Sequence, residues 1–279
     1  MQFIKNGPDV PDRLLQEHEN GRVVFFCGAG ISRPAGLPGF GELVDDLLQE
    51  LGVTNTSSVL KEALDAKKFD TSIGLLENEI QGGREAVRSC LEKLLTPSAI
   101  DLKTLSTHDA LLTLAKTREE KTRLITTNFD RLFAQVIYQK NVQIESFYAP
   151  LLPIPKNTWD GLVYLHGFLK EDATSSDWDR LVLSSGDFGL AYLTERWAAR
   201  FVSELFRNYT VCFVGYSIDD PVLRYMMDAL AADRLRGETT PEMFAFGGYK
   251  RNKRVERENE WKAKNVTPIL YAEDKTHKN

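Results

Sequence analysis

The sequence predicts an α/β fold, a doubly wound parallel sheet with helices on both faces and a small helical module inserted after its first strand. Three observations carry this. Short apolar runs rich in β-formers alternate with helical patterns along most of the 279 residues. Between about Val53 and Leu105 the alternation stops and only helical patterns remain. Hydrophobic residues make up 42% of the chain, enough to bury a sizeable core in one large domain or a domain with an insertion.

The first strand is read at Arg22–Cys27, an almost wholly apolar run that suits a position buried on both sheet faces. It ends at Gly28. Phe40, Leu43, Val44, Leu47, Leu48 and Leu51 then recur at helical spacing, completing a unit of strand, glycine-rich turn, loop and helix. SSVLKEALDAKK, IGLLENEI and REAVRSCLEKLL form the inserted module. Further strands are expected at Arg123–Thr126, Gly161–Leu165, Thr210–Val214, Glu242–Phe246 and Val266–Tyr271. Helices are expected at Thr107–Lys116, Phe129–Gln139, Leu190–Arg207, Pro221–Arg234 and Lys253–Lys264. Leu151–Asn157 lies among Pro150, Pro153 and Pro155 and reads as an extended loop, and Lys170–Asp179 as a polar, exposed one. The whole of 1–279 is taken as one domain, and the polar AEDKTHKN after the last strand suggests a domain excised from a longer protein.

Composition excludes several classes. Lys and Arg number 35 against 40 Asp and Glu, with no basic run, which argues against nucleic-acid binding by this chain. The N-terminal MQFIKNGPDVPD has no apolar stretch of signal-peptide length, and no run approaches the ~18 apolar residues of a membrane span, so a cytoplasmic protein without membrane attachment is expected. Of the three cysteines, Cys27 and Cys212 sit in apolar runs. With no CxxC pair, neither a zinc ribbon nor another metal site is expected.

Four polar or glycine-rich clusters each end a predicted strand. Gly28-Ala29-Gly30-Ile31-Ser32 follows the first, where glycines let backbone N–H groups approach a pyrophosphate, as in a Rossmann-like turn. Arg33 replaces the third glycine of that fingerprint, and a plain tight turn is the alternative. Thr126-Thr127-Asn128-Phe129-Asp130 follows the second, with Asn128 or Asp130 as a helix N-cap the alternative. His166-Gly167 ends the third; Gly215-Tyr216-Ser217 ends the fourth and leads into Asp220-Pro221, a good helix start. Ligands of open α/β sheets bind at the carboxyl ends of strands, so all four should converge on one pocket.

In order and type, GAGIS, TTNFD, LHG and GYS resemble the motif series of the sirtuins, GAGIS, TQNxD, HG and GTS, and Ala35–Phe40 is similar to the sirtuin AGIPDF. Gly39-Phe40-Gly41 departs from the Asp-Phe-Arg of sirtuin deacylases, whose arginine touches NAD, and Gly167–Leu190 has none of their four zinc cysteines. The combination is closer to the SIR2-like domains of bacterial antiphage defence proteins, which hydrolyse NAD; Phe188 within LVLSSGDFG fits that branch.

The resemblance implies NAD contacts for Gly28, Ala29, Gly30, Ile31 and Ser32 at the phosphates and adjacent ribose, and for Gly215, Tyr216 and Ser217 toward the adenosine. It implies that Asn128 holds a water or ribose hydroxyl near the anomeric carbon, that Asp130 orients Asn128 or its loop, and that His166 is the general base. Asn128 and His166 are then the catalytic pair, partly exposed in the cleft, and NAD is a substrate cleaved to nicotinamide and ADP-ribose. The alternatives are an NAD-dependent protein deacylase, which the missing cysteines count against, and a non-enzymatic NAD or ADP-ribose sensor, which the presence of both Asn128 and His166 counts against. An unregulated NAD hydrolase would kill its own cell, so control by a further domain, an activating partner protein or assembly into a homo-oligomer is expected.

Overall fold

The computed structural model describes residues 1–5, 7–97, 102–156, 159–171, 173–216, 226–227, 240–250 and 252–273. Its strands are β1 (Val23–Cys27), β2 (Arg123–Thr126), β3 (Ser146–Tyr148), β4 (Gly161–Tyr164), β5 (Thr210–Val214), β6 (Met243–Tyr249) and β7 (Thr267–Ala272). They form one seven-stranded sheet, all parallel, in the order β3-β4-β2-β1-β5-β6-β7. This is the Rossmann-like α/β fold expected. From β1 the chain travels to β2 on one side, yet β5, also a neighbour of β1, begins the other side. The order therefore reverses between β1 and β5, and a crevice opens there at the carboxyl edge.

All five residues of β1 are buried, and the strand's period of two shares them between two cores. Val24 and Phe26 join Phe213 and the inner face of α10 (Trp197–Asn208), with Phe201, Val202 and Leu205. Val23, Phe25 and Cys27 face the other way, toward Leu14 of α1 (Asp12–Glu19), Leu111 and Leu112 of α6 (Ser106–Leu114), and Phe133 and Val136 of α7 (Leu132–Lys140). Burying a side chain such as Phe26 stabilises the fold by roughly 1.5–3 kcal/mol, which is why both faces of this strand are apolar. A further helix bordering the sheet, α11 (Arg254–Ala263), packs Trp261 under β6 and β7.

The helical module has its own core. It comprises α2 (Phe40–Glu50), α3 (Ser58–Asp65), α4 (Phe69–Glu79) and α5 (Gly83–Leu94). Leu43, Val44 and Leu47 of α2 pack with Leu60, Ile73, Leu76, Val87 and Leu91, so the helix expected to lie with the opening strand belongs to the module instead. The same core takes in Phe129, Leu169, Leu181 and Leu183, which seats the module on loops that follow β2 and β4.

Other differences have local causes. β3 is three residues at a sheet edge, Ser146 and Phe147 half-buried and Tyr148 exposed, too short for a period to show, and α1 is an eight-residue helix absent from the sequence reading. The helix expected from Phe129 starts at Leu132, because Asp130 accepts the Leu132 N–H and caps it (3.1 Å). The helix expected over Leu190–Arg207 divides into a π-helical turn (Gly189–Thr194) and α10, with Arg196 in the left-handed region at φ 62° between them. The polar Lys170–Asp179 stretch contains the short α8 (Ser175–Trp178), and α9 (Ser185–Phe188) follows it. The helix expected over Pro221–Arg234 lies outside the described residues except for Met226 and Met227, which are helical and buried. Among the described residues no helix is long and apolar enough to cross a membrane.

Candidate active site

The crevice is built by backbone contact between the loops after β1 and β5. Gly28 N–H donates to Val214 O (2.9 Å) and Gly30 N–H to Gly215 O (2.8 Å). Gly215 sits at φ +75°, and a Cβ there would lie 2.6 Å from Ile31 N and 2.8 Å from Gly28 O. A Cβ on Gly30 would meet Gly215 O at 2.7 Å, so only glycine fits either position. The glycines of the GAG turn thus bring two loops together. The Gly30 N–H is spent on Gly215, and the Ile31 N–H is spent on Gly28 O (3.2 Å). Beyond them the chain forms a 3-10 helix (Ala29–Ala35), and Arg33 pairs with Glu42 (2.8 Å), which also accepts the Gly39 N–H.

Ser32 is the node of the first wall. Its hydroxyl donates to Asp130 Oδ2 (2.7 Å) and accepts from Asn128 Nδ2 (3.1 Å). Asn128 Nδ2 also donates to Gly28 O (3.3 Å). Both partners can only accept, since the Ser32 hydrogen is already used, so the amide is fixed with its nitrogen toward them. Oδ1, an acceptor, is the atom left for the cavity. His108 Nε2 lies 3.4 Å from Ser32 Oγ, and burial pushes this imidazole down to about 4, leaving it neutral. With the Ser32 hydrogen committed to Asp130, the ring must carry its own hydrogen on Nε2; Nδ1 is then a buried acceptor without a partner. Asp130 itself is raised by burial against the opposing pull of Ser32 and the Leu132 N–H.

His166 forms the second wall. Its carbonyl accepts the Val182 N–H (2.9 Å), its Nε2 lies 2.9 Å from Tyr192 Oη, and its ring meets Phe188 and Tyr192 edge-on. Burial pushes its pKa down to about 3. The segment carrying Phe188 is stapled to the module. Arg88, fully buried on α5, donates to Glu77 (2.9 Å), to the carbonyls of Trp178 and Leu181, and to Asp187 Oδ2 (2.5 Å). Asp187 also takes Arg84 and the N–H groups of Leu183 and Ser184. Burial pushes Asp187 up, but Arg88 and these donors prevail and hold it below the usual carboxylate range.

The two walls line an open crevice, about 610 Å³ of space including the solvent at its mouth. Its polar lining consists of Ser32, Thr127, Asn128, Asp130 and His166, and its apolar lining includes Leu37, Phe40, Leu43, Leu95, Phe129 and Phe188, with Ala29 also at the wall. Of the residues read from sequence, Ala29, Ser32, Asn128, Asp130 and His166 thus line one cavity. Gly28, Gly30 and Gly215 form its backbone support. Ile31 is buried in the core, and Tyr216 packs on Phe26 and Phe213 with its hydroxyl 2.6 Å from Thr127 Oγ1. Ser217 lies outside the described residues. One expectation is corrected: Asn128 and His166 are not partly exposed, but 8% and 2% exposed, because the module roofs the strand ends. His108, Tyr192 and the Arg88–Asp187 pair escaped sequence reasoning, since each lies in a helical pattern where it reads as an ordinary face residue. The cysteines Cys27, Cys90 and Cys212 are buried free thiols.

Fold and site together define an α/β protein with a ligand crevice at the switch point of its sheet, lined by an asparagine and a histidine from the loops after β2 and β4. The chain belongs to the SIR2-like family: the family model for the SIR2-like domain matches residues 122–269, more than half of it. A relative, the uncharacterized protein y4cA of Sinorhizobium fredii (strain NBRC 101917 / NGR234), is 31% identical over 276 residues, 97% of this chain. The chain spans 23% of that relative's length. Membership of the SIR2-like family ties the domain to NAD-related activity.

Proposed function

We propose that the protein is an NAD hydrolase that breaks the bond between nicotinamide and ribose. The observation that carries this reading is the cavity itself, which Asn128 and His166 both line at the sheet's switch point together with an apolar wall. That wall suits a flat aromatic leaving group, and the loops after β1 and β5 lie where a dinucleotide binds in folds of this kind. Asn128 Oδ1, an acceptor, orients the attacking water and faces the positive charge that grows on the sugar as a cationic group departs. The new C–O bond comes from water, the electron pair of the broken C–N bond leaves on the nicotinamide nitrogen, and His166 takes the water proton. Such a base contributes ~10²–10⁴-fold.

In this reading the hydrolase is a regulated effector of bacterial antiphage defence in the cytoplasm, depleting NAD when a further domain, a partner protein or self-assembly switches it on. Incubation with NAD, following nicotinamide, ADP-ribose and an acetyl-lysine peptide together, tests it. Nicotinamide and ADP-ribose in equal amounts, with the peptide untouched, are expected. Peptide-dependent nicotinamide release would make the protein a deacylase, and binding without turnover would make it a sensor.

A further inference from the structure

The His166–Tyr192 contact has the wrong form for a base at work. Tyr192 Oη is 2.9 Å from His166 Nε2, and both side chains are buried. A phenol is a stronger acid than an imidazole N–H, and an imidazole nitrogen a stronger base than a phenol oxygen, so the O–H points at Nε2. A neutral imidazole has one lone pair in its ring plane. With that pair on the phenol, the hydrogen sits on Nδ1 and no nitrogen is left to take a proton. We propose that Tyr192 is a latch on His166, holding the site at rest by occupying the lone pair that the reaction needs, and that the site becomes competent when the turn carrying Tyr192 releases it.

The inference rests on the NAD-cleavage reading and concerns the regulation of that same site. The element that carries Tyr192 departs from regular helix. Gly189–Thr194 is a π-helical turn, a geometry that recurs at functional sites, and it is followed by Arg196 at φ 62°, a backbone conformation that costs a non-glycine residue energy. The turn also connects the latch to the surface: it buries Ala191 and Tyr192 while leaving Leu190 and Leu193 49% and 72% exposed. The depressed basicity of the buried His166 agrees with a resting state, because a base serves best with a pKa near the working pH.

Tyr192→Phe removes one hydroxyl and keeps the ring that packs on Phe188, so the fold is preserved. Two readouts on the 279-residue protein test the latch. In a protein labelled with ¹⁵N-histidine, whose four histidines give few signals, the substitution is expected to move the His166 ring resonances and leave the other three in place. NAD cleavage is expected to rise about fivefold to tenfold, the factor that one net hydrogen bond supplies, and to vanish when His166→Ala is added. A rate that falls or holds while the His166 resonance moves overturns the latch alone, making Tyr192 a positioning partner. An unmoved His166 resonance overturns the contact itself. If neither protein binds or cleaves NAD, the NAD reading falls and the latch falls with it.

Discussion

The two walls of the cavity are held in different ways. The Asn128 wall is fixed by bonds among the loops that follow β1 and β2: Asn128 to Gly28 and Ser32, Ser32 to Asp130, Asp130 to Leu132. The His166 wall depends on elements outside the sheet, from Val182 and Phe188, tied to Arg88 on α5, to Tyr192 on the π-helical turn. The difference teaches where each half is vulnerable. The first is built into the strand ends, and the second rests on helices and loops that the sheet does not itself position.

The largest expected effect follows from cutting the tether of the second wall. Arg88→Ala leaves Glu77 and Asp187 with only the partly exposed Arg84 as a cation and strands the carbonyls of Trp178 and Leu181, and it should destabilise the protein by about 3 kcal/mol in urea unfolding. Arg88→Lys should recover only part, because a single ammonium cannot serve four acceptors. If Arg88→Ala unfolds at the wild-type urea concentration, the network is not what joins the module to the sheet.

Next comes the base. His166→Ala should slow NAD cleavage by about 10²-fold or more. Because the ring is buried against Phe188 and Tyr192, the variant should also lose about 1–3 kcal/mol of stability, beyond what an exposed position would cost. Turnover near wild type in a folded variant would remove His166 from the mechanism.

Ser32→Ala tests the first wall. It strands the Asn128 amide and the Asp130 carboxylate, at a cost of about 1–3 kcal/mol. Cleavage should fall while the affinity for ADP-ribose, measured by calorimetry, changes less. An equal loss in both would mean that Ser32 chiefly binds the dinucleotide rather than orienting Asn128.

The last effect is graded with pH. His108 and His166 are depressed from 6.5 to about 4 and about 3 by burial, so the unfolded chain binds more protons below pH 6.5. Stability conferred by their neutral forms is complete above 6.5 and drains as pH falls toward those values, by up to about 1.4 kcal/mol per pH unit for each ring. Asp130, raised by burial, works the other way and opposes the histidines as pH falls, so their share in the window from 6.5 to 5 is read by comparison with His166→Ala. A melting temperature that is flat across that window, or a His166→Ala variant with an undiminished slope, would contradict the burial of these rings.

The sequence by itself determined the sheet and its chemistry-bearing edge. The runs Val23–Cys27, Arg123–Thr126 and Thr210–Val214 are apolar at their centres, with Arg123, Thr126 and Thr210 only at strand ends, because both faces of a central parallel strand are covered, and that leaves a signal within five residues. The polar clusters stand out because each interrupts such a run. Only the tertiary structure decided the rest. The spacing of Phe40–Leu51 shows an apolar face but not what it meets, and contact placed that helix in the module rather than on the sheet. His108 and Tyr192 look like any residue on an amphipathic helix until Ser32 and His166 are brought against them. The GAG turn shows the same limit: its glycines were legible, but the partner that demands them, Gly215, lies far along the chain. Periodicity records which way a side chain faces, and the identity of its neighbour is fixed only when distant segments pack.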